Sequence, residues 1–228
     1  MFFHLGTPKP LSQLQAMPIA ISSARSKLKI LVIDDQPFIL KEVLASHGYA
    51  IHEMRDISAI DLVAGFPIVV CDIKGVGTTF KTKHEGAHLF REIRRAFPEK
   101  YIVAFTGFRF DATYNEYFRV ADVSLKKDTD TEAWVKVLDE AIAIMAEPKY
   151  RWLRMRRFLL EEARLELWTV LQIETAFIEA VSTRDKDKLM NPIKGLGLPD
   201  ETRQMLTSFA GSLFTDVLSG LLTAAIAS

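Results

Sequence analysis

From Lys29 onward the apolar residues come in short, nearly unbroken runs, and each run stops at a polar residue. Ile30-Leu31-Val32-Ile33 stops at Asp34-Asp35, Ile68-Val69-Val70-Cys71 at Asp72, Tyr101-Ile102-Val103-Ala104-Phe105 at Thr106, and Val123-Ser124-Leu125 at Lys126-Lys127. Runs of this length rich in β-branched residues predict strands buried on both faces, as parallel strands are. Ala50 to Met54 is a weaker run of the same kind. Between the runs the apolar spacing turns helical, over Phe38 to Ser46, Ile57 to Ala64, Gly86 to Ala96, Asn115 to Val120 and Thr131 to Met145. Strands alternating with helices predict an α/β domain over residues 28–147: a doubly wound, five-stranded parallel sheet with ligands outside the strand carboxyl ends.

The flanking segments have other patterns. Residues 1–27, with Pro8, Pro10, Pro18 and scattered serines, predict a flexible N-terminal arm. Pro148 marks a boundary, and residues 148–228 read as an all-α domain. Apolar residues at 160, 163, 167, 170, 171, 177, 178 and 181 predict one long helix from Lys149 to Val181. Thr183 to Lys188 reads as a loop that Pro192, Gly195, Gly197 and Pro199 continue, and Asp200 as the N-cap of a last helix running nearly to Ser228.

Composition changes this picture little. The chain has 228 residues, 49% hydrophobic and 25% charged, and 29 basic residues balance 29 acidic ones. That is a soluble, globular profile which favours neither a polyanionic nor a polycationic partner. Residues 28–147 carry 15 basic and 19 acidic groups, an excess that suits a cation-binding cluster. The lone Cys71 excludes an internal disulfide and suggests a reducing, cytoplasmic compartment; inside an apolar run it reads as a core residue. The N-terminus lacks a signal-peptide pattern, and the interrupted apolar stretches argue against a membrane span.

Chemistry enters with the residues at the strand ends. Three carboxylates, Asp34, Asp35 and Asp72, repel one another until a cation neutralises them, and Mg²⁺ favours such hard oxygen ligands. A lysine and a hydroxyl at the same edge supply the positioning and charge stabilisation that phosphoryl transfer needs. In this order the residues resemble the receiver domain of two-component response regulators. The resemblance covers 28–147 and implies a flavodoxin-like fold and Mg²⁺-dependent transfer of a phosphoryl group from a histidine kinase or phosphotransfer protein to an aspartate. It makes Asp72 the phosphoacceptor, Asp34 and Asp35 metal ligands together with Asp72 and the Lys74 carbonyl, and Thr106 the hydroxyl that moves toward the phosphoryl group. Lys127 is the phosphate contact, with Lys126 as the alternative. The chain departs from the family in lacking prolines soon after Asp72 and after Lys127, and in having Ser124 where an aromatic is common. The stretch from Asp72 to Gly86 is longer than the family's loop, and the first helix is about a turn short.

Three other motifs compete. His84-Glu85-Gly86-Ala87-His88 matches the H-E-x-x-H pattern of zinc proteases, but a glycine inside that helix costs about 1 kcal/mol and no third ligand follows at a familiar spacing. Gly86 reads instead as the opening of a helix. Lys149 to Arg157 packs five basic residues among aromatics, a nucleic-acid or anionic-lipid pattern, or a solvated face pairing with Glu161 and Glu162. In the last helix Ser208, Ser212, Asp216, Gly220, Ala224 and Ser228 form a small or polar stripe, with Leu206, Phe209, Leu213, Val217 and Leu221 on another face. Asp216 argues against membrane spanning and for a bundle or oligomer interface.

The expectation is a non-enzymatic, cytoplasmic signalling protein switched at Asp72. Its helical C-terminal domain relays the switch to a protein partner or dimerises through its helices. The alternatives are a receiver-controlled RNA- or DNA-binding regulator, from a faint similarity around Lys188-Leu189-Met190 and Gly197 to Glu201 to antiterminator-type RNA-binding domains, or a membrane-acting helical effector.

Overall fold

The computed structural model describes residues 8–14, 19–80, 85–107 and 119–219. Five parallel strands form one sheet: β1 Lys29–Ile33, β2 Ala50–Met54, β3 Ile68–Asp72, β4 Tyr101–Thr106 and β5 Val123–Lys126, in the order β2-β1-β3-β4-β5. This is the flavodoxin-like doubly wound order, with its switch point between β1 and β3. All five strands fall where the apolar runs predict them. In the centre Ile30–Ile33 and all of β3 are buried, while the edge strand β5 alternates between half-buried and exposed. The register aligns Ile33 with Cys71 and Asp72 with Phe105, so the strand ends come level at one edge.

Alternation along the strands divides the core between the two faces. On one face Leu31, Ile33, Val69, Cys71, Ile102 and Ala104 pack with Leu89, Phe90 and Ile93 of α3 (Glu85–Ala96). On the other, Trp134 of α4 (Thr131–Ala146) packs against Phe38 and Phe105. Cys71 is fully buried, and burial pushes its thiol well up from the usual range, so it is an inert core residue.

Several expected helices are shorter. The first begins at Lys41 rather than Phe38 (α2, Lys41–Ser46), because the Phe38 ring is buried and its N–H donates to Glu53 Oε1 on β2. Ile57 to Ala64 forms only the 3₁₀ turn Ile60–Val63. There the Asp56 carboxylate accepts the Ile57 N–H, while Ile57 and Val63 fill the core. Of the expected helix from Asn115 to Val120, residues 115–118 lie outside the described set, and 119–120 form a turn.

The chain divides into two compact units, 19–146 and 1–18 with 147–228. The flexible-arm expectation for 1–27 is corrected at its C-terminal end: α1 (Ile21–Arg25) belongs to the sheet unit, with Ala24 buried and Arg25 paired to Asp139 on α4 at 2.6 Å. Earlier in the segment, Lys9 joins the helical unit through the Thr175 hydroxyl, at 3.4 Å, and Glu179, at 2.9 Å.

In the helical unit the predicted long helix is broken into α5 (Pro148–Glu161) and α6 (Leu167–Thr183). Arg164 adopts φ 50, and the Leu165 N–H returns to the Leu159 carbonyl six residues back, while the Ala163 N–H makes the 6→1 bond to the Phe158 carbonyl. The left-handed residue is an arginine instead of glycine, so the sequence shows no stop. Asp187–Gly195, expected as loop, is α7 despite Pro192, because Leu189, Met190 and Ile193 are buried. The last helix, α8, spans Asp200–Ser212 and continues as a wider π turn over Leu213–Ser219. Pro199, and not Asp200, holds its N-cap position; Asp200 and Glu201 lie in the first turn, where their charge suits the helix dipole. Residues 220–228 lie outside the described set.

Trp152, Phe177 and Phe209 form the centre of this unit, with Trp152 stacked on Phe177 at 4.9 Å between centroids. The basic run on α5 is not one solvated face. Arg151 is fully buried, donating to the Ser212 hydroxyl at 2.7 Å with Asp216 at 3.9 Å, and Arg156 pairs with Glu174 at 3.1 Å. Ser212 and Asp216 of the polar stripe thus take up a buried cation. Among the described residues, no helix is long and apolar enough to cross a membrane.

Candidate functional site: an acid cluster at the sheet edge

The crevice at the switch point is where β1 and β3 deliver their terminal polar residues. Asp34 and Asp35 follow β1, Asp72 ends β3, and oxygens from all three lie within 4.8 Å of one another. Asp34 and Asp72 are almost fully buried and Asp35 is half-buried. Two negatively charged side chains this close and this dry need a counter-charge, and Lys127 supplies it. Its ammonium bonds Asp34 Oδ2 at 2.8 Å, Asp34 Oδ1 at 3.0 Å and Asp72 Oδ2 at 2.7 Å.

The period of two along β5 explains which lysine arrives. Val123 and Leu125 face inward and Lys126 outward, so Lys127, one step on, returns to the inner side. Lys126 is exposed at the end of β5, aligned with Thr106. Thr106 ends β4, and its side chain lies outside the described set.

The remaining contacts orient the acids. Asp72 Oδ1 accepts the N–H groups of Ile73 at 2.6 Å and Lys74 at 3.3 Å, which turns Oδ2 toward Lys127. Asp34 Oδ1 accepts the Gln36 N–H at 2.9 Å, the Gln36 amide donates to Asp35 Oδ2 at 3.1 Å, and Arg55 donates to the Asp35 carbonyl oxygen at 3.0 Å. Past Lys74 the backbone turns through Gly75 and Gly77, at φ 75 and 73. A Cβ on Gly75 would sit 2.7 Å from Asp35 Cγ, so only glycine allows the loop to approach the cluster this closely. Gly86, in the first turn of α3, lies so close to the Asp72 carbonyl oxygen and the Val76 side chain that a Cβ would collide with both. The glycine that spoils the zinc-protease motif thus has a packing reason. His84 lies outside the described set, and His88 lies 3.8 Å from Glu92.

Electrostatically the three carboxylates face one ammonium, so the cluster keeps an excess of negative charge. Burial pushes the Asp72 carboxyl above its usual range, against the pull of Lys127 and the Lys74 N–H, and Asp34 adds to the rise. Burial would lower Lys127, but its hydrogen bonds to Asp34 and Asp72 outweigh it and hold the ammonium above its usual value. Both directions follow from two acids sharing one base. Three hard oxygen donors with surplus negative charge fit a small divalent cation. A cleft of about 230 Å³ opens beside Asp34, lined by Gln36, Glu53 and Arg55 among others.

Two residues at the site escaped the sequence reading. Asp56, after β2, accepts the N–H of Gly77 together with the N–H and hydroxyl of Thr78, and so ties the loop that follows Asp72 to the next strand end. The Asp in Arg55-Asp56-Ile57-Ser58 is a turn-forming type, the one local signal available. Phe105 carries Lys127 over its ring, with the nitrogen 5.0 Å from the centroid. Within an apolar run it has no local signal.

No protein-family model and no curated protein matches the sequence. Solved structures resemble it at low identity. The signal receiver domain of an HD domain-containing protein from Pseudomonas fluorescens Pf-5 is 21% identical, with 53% of this chain and 90% of that one covered and a TM-score of 0.44. Full-length FixJ from B. japonicum is 20% identical, with 88% and 97% covered and a TM-score of 0.45. NtrX from Brucella abortus in complex with ATP is 19% identical, with 68% of this chain but only 34% of that one covered and a TM-score of 0.44. All three scores are too low to carry more than a likeness; the strand order and the acid cluster are this chain's own. By these two features the sheet unit is a flavodoxin-like, doubly wound domain with an acid cluster at its switch point, followed by an all-helical region.

Proposed function

We propose that the protein is a phosphorylation-switched response regulator whose phosphoacceptor is Asp72. One observation carries this reading: Lys127 bridges the acid ending β3 to an acid following β1, inside a three-carboxylate cluster at the switch point of the sheet. An ion pair serving stability alone has no use for two further carboxylates that repel it.

In the proposed reaction Asp72 Oδ2 attacks the phosphorus of a phosphohistidine on a kinase or phosphotransfer protein. The P–N bond breaks, the imidazole leaves as the neutral ring after taking up a proton, and an acyl phosphate forms on Asp72. Backbone N–H groups on Oδ1 hold the carboxylate in orientation. Lys127, released from Oδ2, pairs with a phosphoryl oxygen. Asp34, Asp35 and Asp72, with the Lys74 carbonyl, would hold Mg²⁺, which when bound neutralises charge on the phosphoryl oxygens. Thr106, at the end of β4, would be the hydroxyl that follows the phosphoryl group. Water later cleaves the acyl phosphate, and no other catalysis is assigned. The helical region passes the switch, in the cytoplasm, to a protein partner or a second copy of the chain.

Intact-mass spectrometry after incubation with acetyl phosphate and Mg²⁺ tests the proposal. One phosphoryl increment is expected on the wild type and none on Asp72→Ala. An unlabelled wild type, or equal labelling of both proteins, counts against it.

A further inference from the structure

Lys127 is held from two sides. On one are the carboxylates of Asp34 and Asp72, at 2.7 to 3.0 Å. On the other is the face of Phe105, 5.0 Å from the ammonium to the ring centroid and within the reach of a cation–π contact. That ring is itself fixed. Phe105 is 5% exposed and meets Phe38 edge-on at 5.6 Å and Trp134 at 5.3 Å, while Phe38 and Trp134 meet each other at 5.4 Å. The three rings come from the loop after β1, from β4 and from α4, and they close a triangle. Each is buried, so the Phe105 face cannot swing away without opening the core.

We propose that Phe105 is a positioning residue for Lys127, which deepens, and rests on, the phosphoacceptor reading of Asp72. The physical reason is what happens to the carboxylate side during the reaction. Once Asp72 Oδ2 bonds to phosphorus it no longer carries the charge that held the ammonium. The attraction of the ring face does not depend on the state of Asp72. It also accepts no directed hydrogen bond, so the ammonium keeps all three N–H groups for oxygens while remaining on the ring. A second carboxylate at this place would hold Lys127 in competition with the phosphoryl group. An aliphatic side chain would fill the space and attract nothing.

The test is the rate of Asp72 labelling by acetyl phosphate, read by intact mass, for the full-length wild type, Phe105→Leu, Phe105→Tyr, Lys127→Met and the double variant Phe105→Leu/Lys127→Met. Circular dichroism and urea midpoints establish that each variant is folded. Phe105→Leu is expected to slow labelling about threefold to thirtyfold, the range a cation–π contact supports, and Phe105→Tyr, which keeps the ring face, to stay within about threefold of wild type. In the Lys127→Met background the leucine substitution should change the rate by less than about twofold, because its effect runs through the lysine. Labelling of Phe105→Leu at the wild-type rate overturns the proposal, and so does equal slowing with and without Lys127, which assigns Phe105 to packing alone. A wild type that takes no phosphoryl group overturns the phosphoacceptor reading and this role with it.

Discussion

Asp72 illustrates how one buried carboxylate trades stability for chemistry. Its folded pKa is raised, chiefly by burial, so the folded state binds the proton more tightly than the unfolded chain does. Without a cation, stability falls as pH rises from the unfolded value of about 3.9 through the raised folded value. A cation-free Asp72→Asn protein is therefore expected to gain stability relative to wild type as pH rises through that range. Urea denaturation in EDTA across that range measures this, and a midpoint difference that does not change with pH would contradict it. Mg²⁺ acts the other way: the wild-type melting temperature rises, whereas Asp72→Asn and Asp34→Asn gain little, because each lacks a ligand and a charge. Gly86 offers a second test with opposing signs. Helix propensity alone predicts that Gly86→Ala stabilises α3 by about 1 kcal/mol. The collision with the Asp72 carbonyl and Val76 predicts a net loss of about 2 kcal/mol, which thermal denaturation decides.

At the scale of elements, α1 is joined to the sheet unit by a network that pH can read. Arg25 donates to both carboxylate oxygens of Asp139 on α4, at 2.8 and 2.6 Å, and the Tyr49 hydroxyl donates to Asp139 Oδ1 at 2.7 Å. Burial pushes the Asp139 carboxyl up, but Arg25 and Tyr49 together hold it below its usual range. A depressed carboxylate contributes stability above its unfolded value, near 3.9, and loses it as pH falls through the folded value. Asp139→Asn should cost about 1–2 kcal/mol at pH 7 and flatten the stability profile below about pH 4, as urea midpoints across that range would show. Equal slopes in the two proteins would remove Asp139 from the acid response. The elements also show where reading a sequence reaches its limit. The break after α5 is a left-handed Arg164, and helical spacing runs on across it because Ala163 and Leu167 are in phase with what precedes. α7 was hidden by Pro192, whose cost three buried side chains outweigh. Local propensity is weaker than burial, and burial is not visible one segment at a time.

As a whole, the molecule consists of two units with separate cores, one around Phe38, Phe105 and Trp134 and one around Trp152, Phe177 and Phe209. A fragment of residues 19–146 is expected to unfold cooperatively and, under the proposed function, to take a phosphoryl group from acetyl phosphate within about threefold of the full-length rate. A fragment starting at residue 28 loses the Arg25 pair and should unfold at lower urea. Failure of the 19–146 fragment to fold would show that the helical region is part of one cooperative structure.

What the sequence by itself determined is whatever lies within a few residues of itself. Each buried strand is one apolar run, and the polar residue that ends it must emerge at the sheet edge, so Asp34, Asp35, Asp72, Thr106 and the lysine pair were legible from pattern alone. The tertiary structure decided what depends on partners far along the chain. Lys127 rather than Lys126 reaches the acids, because the inward phase of β5 is set by its pairing with β4. Phe105 became the floor beneath that lysine, because two rings from distant segments close on it. Arg151, read as part of a basic surface, became the buried centre of a helical unit, because Ser212 and Asp216 arrive from the other end of the region. Charge and periodicity place a side chain on a face; only packing decides what that face meets.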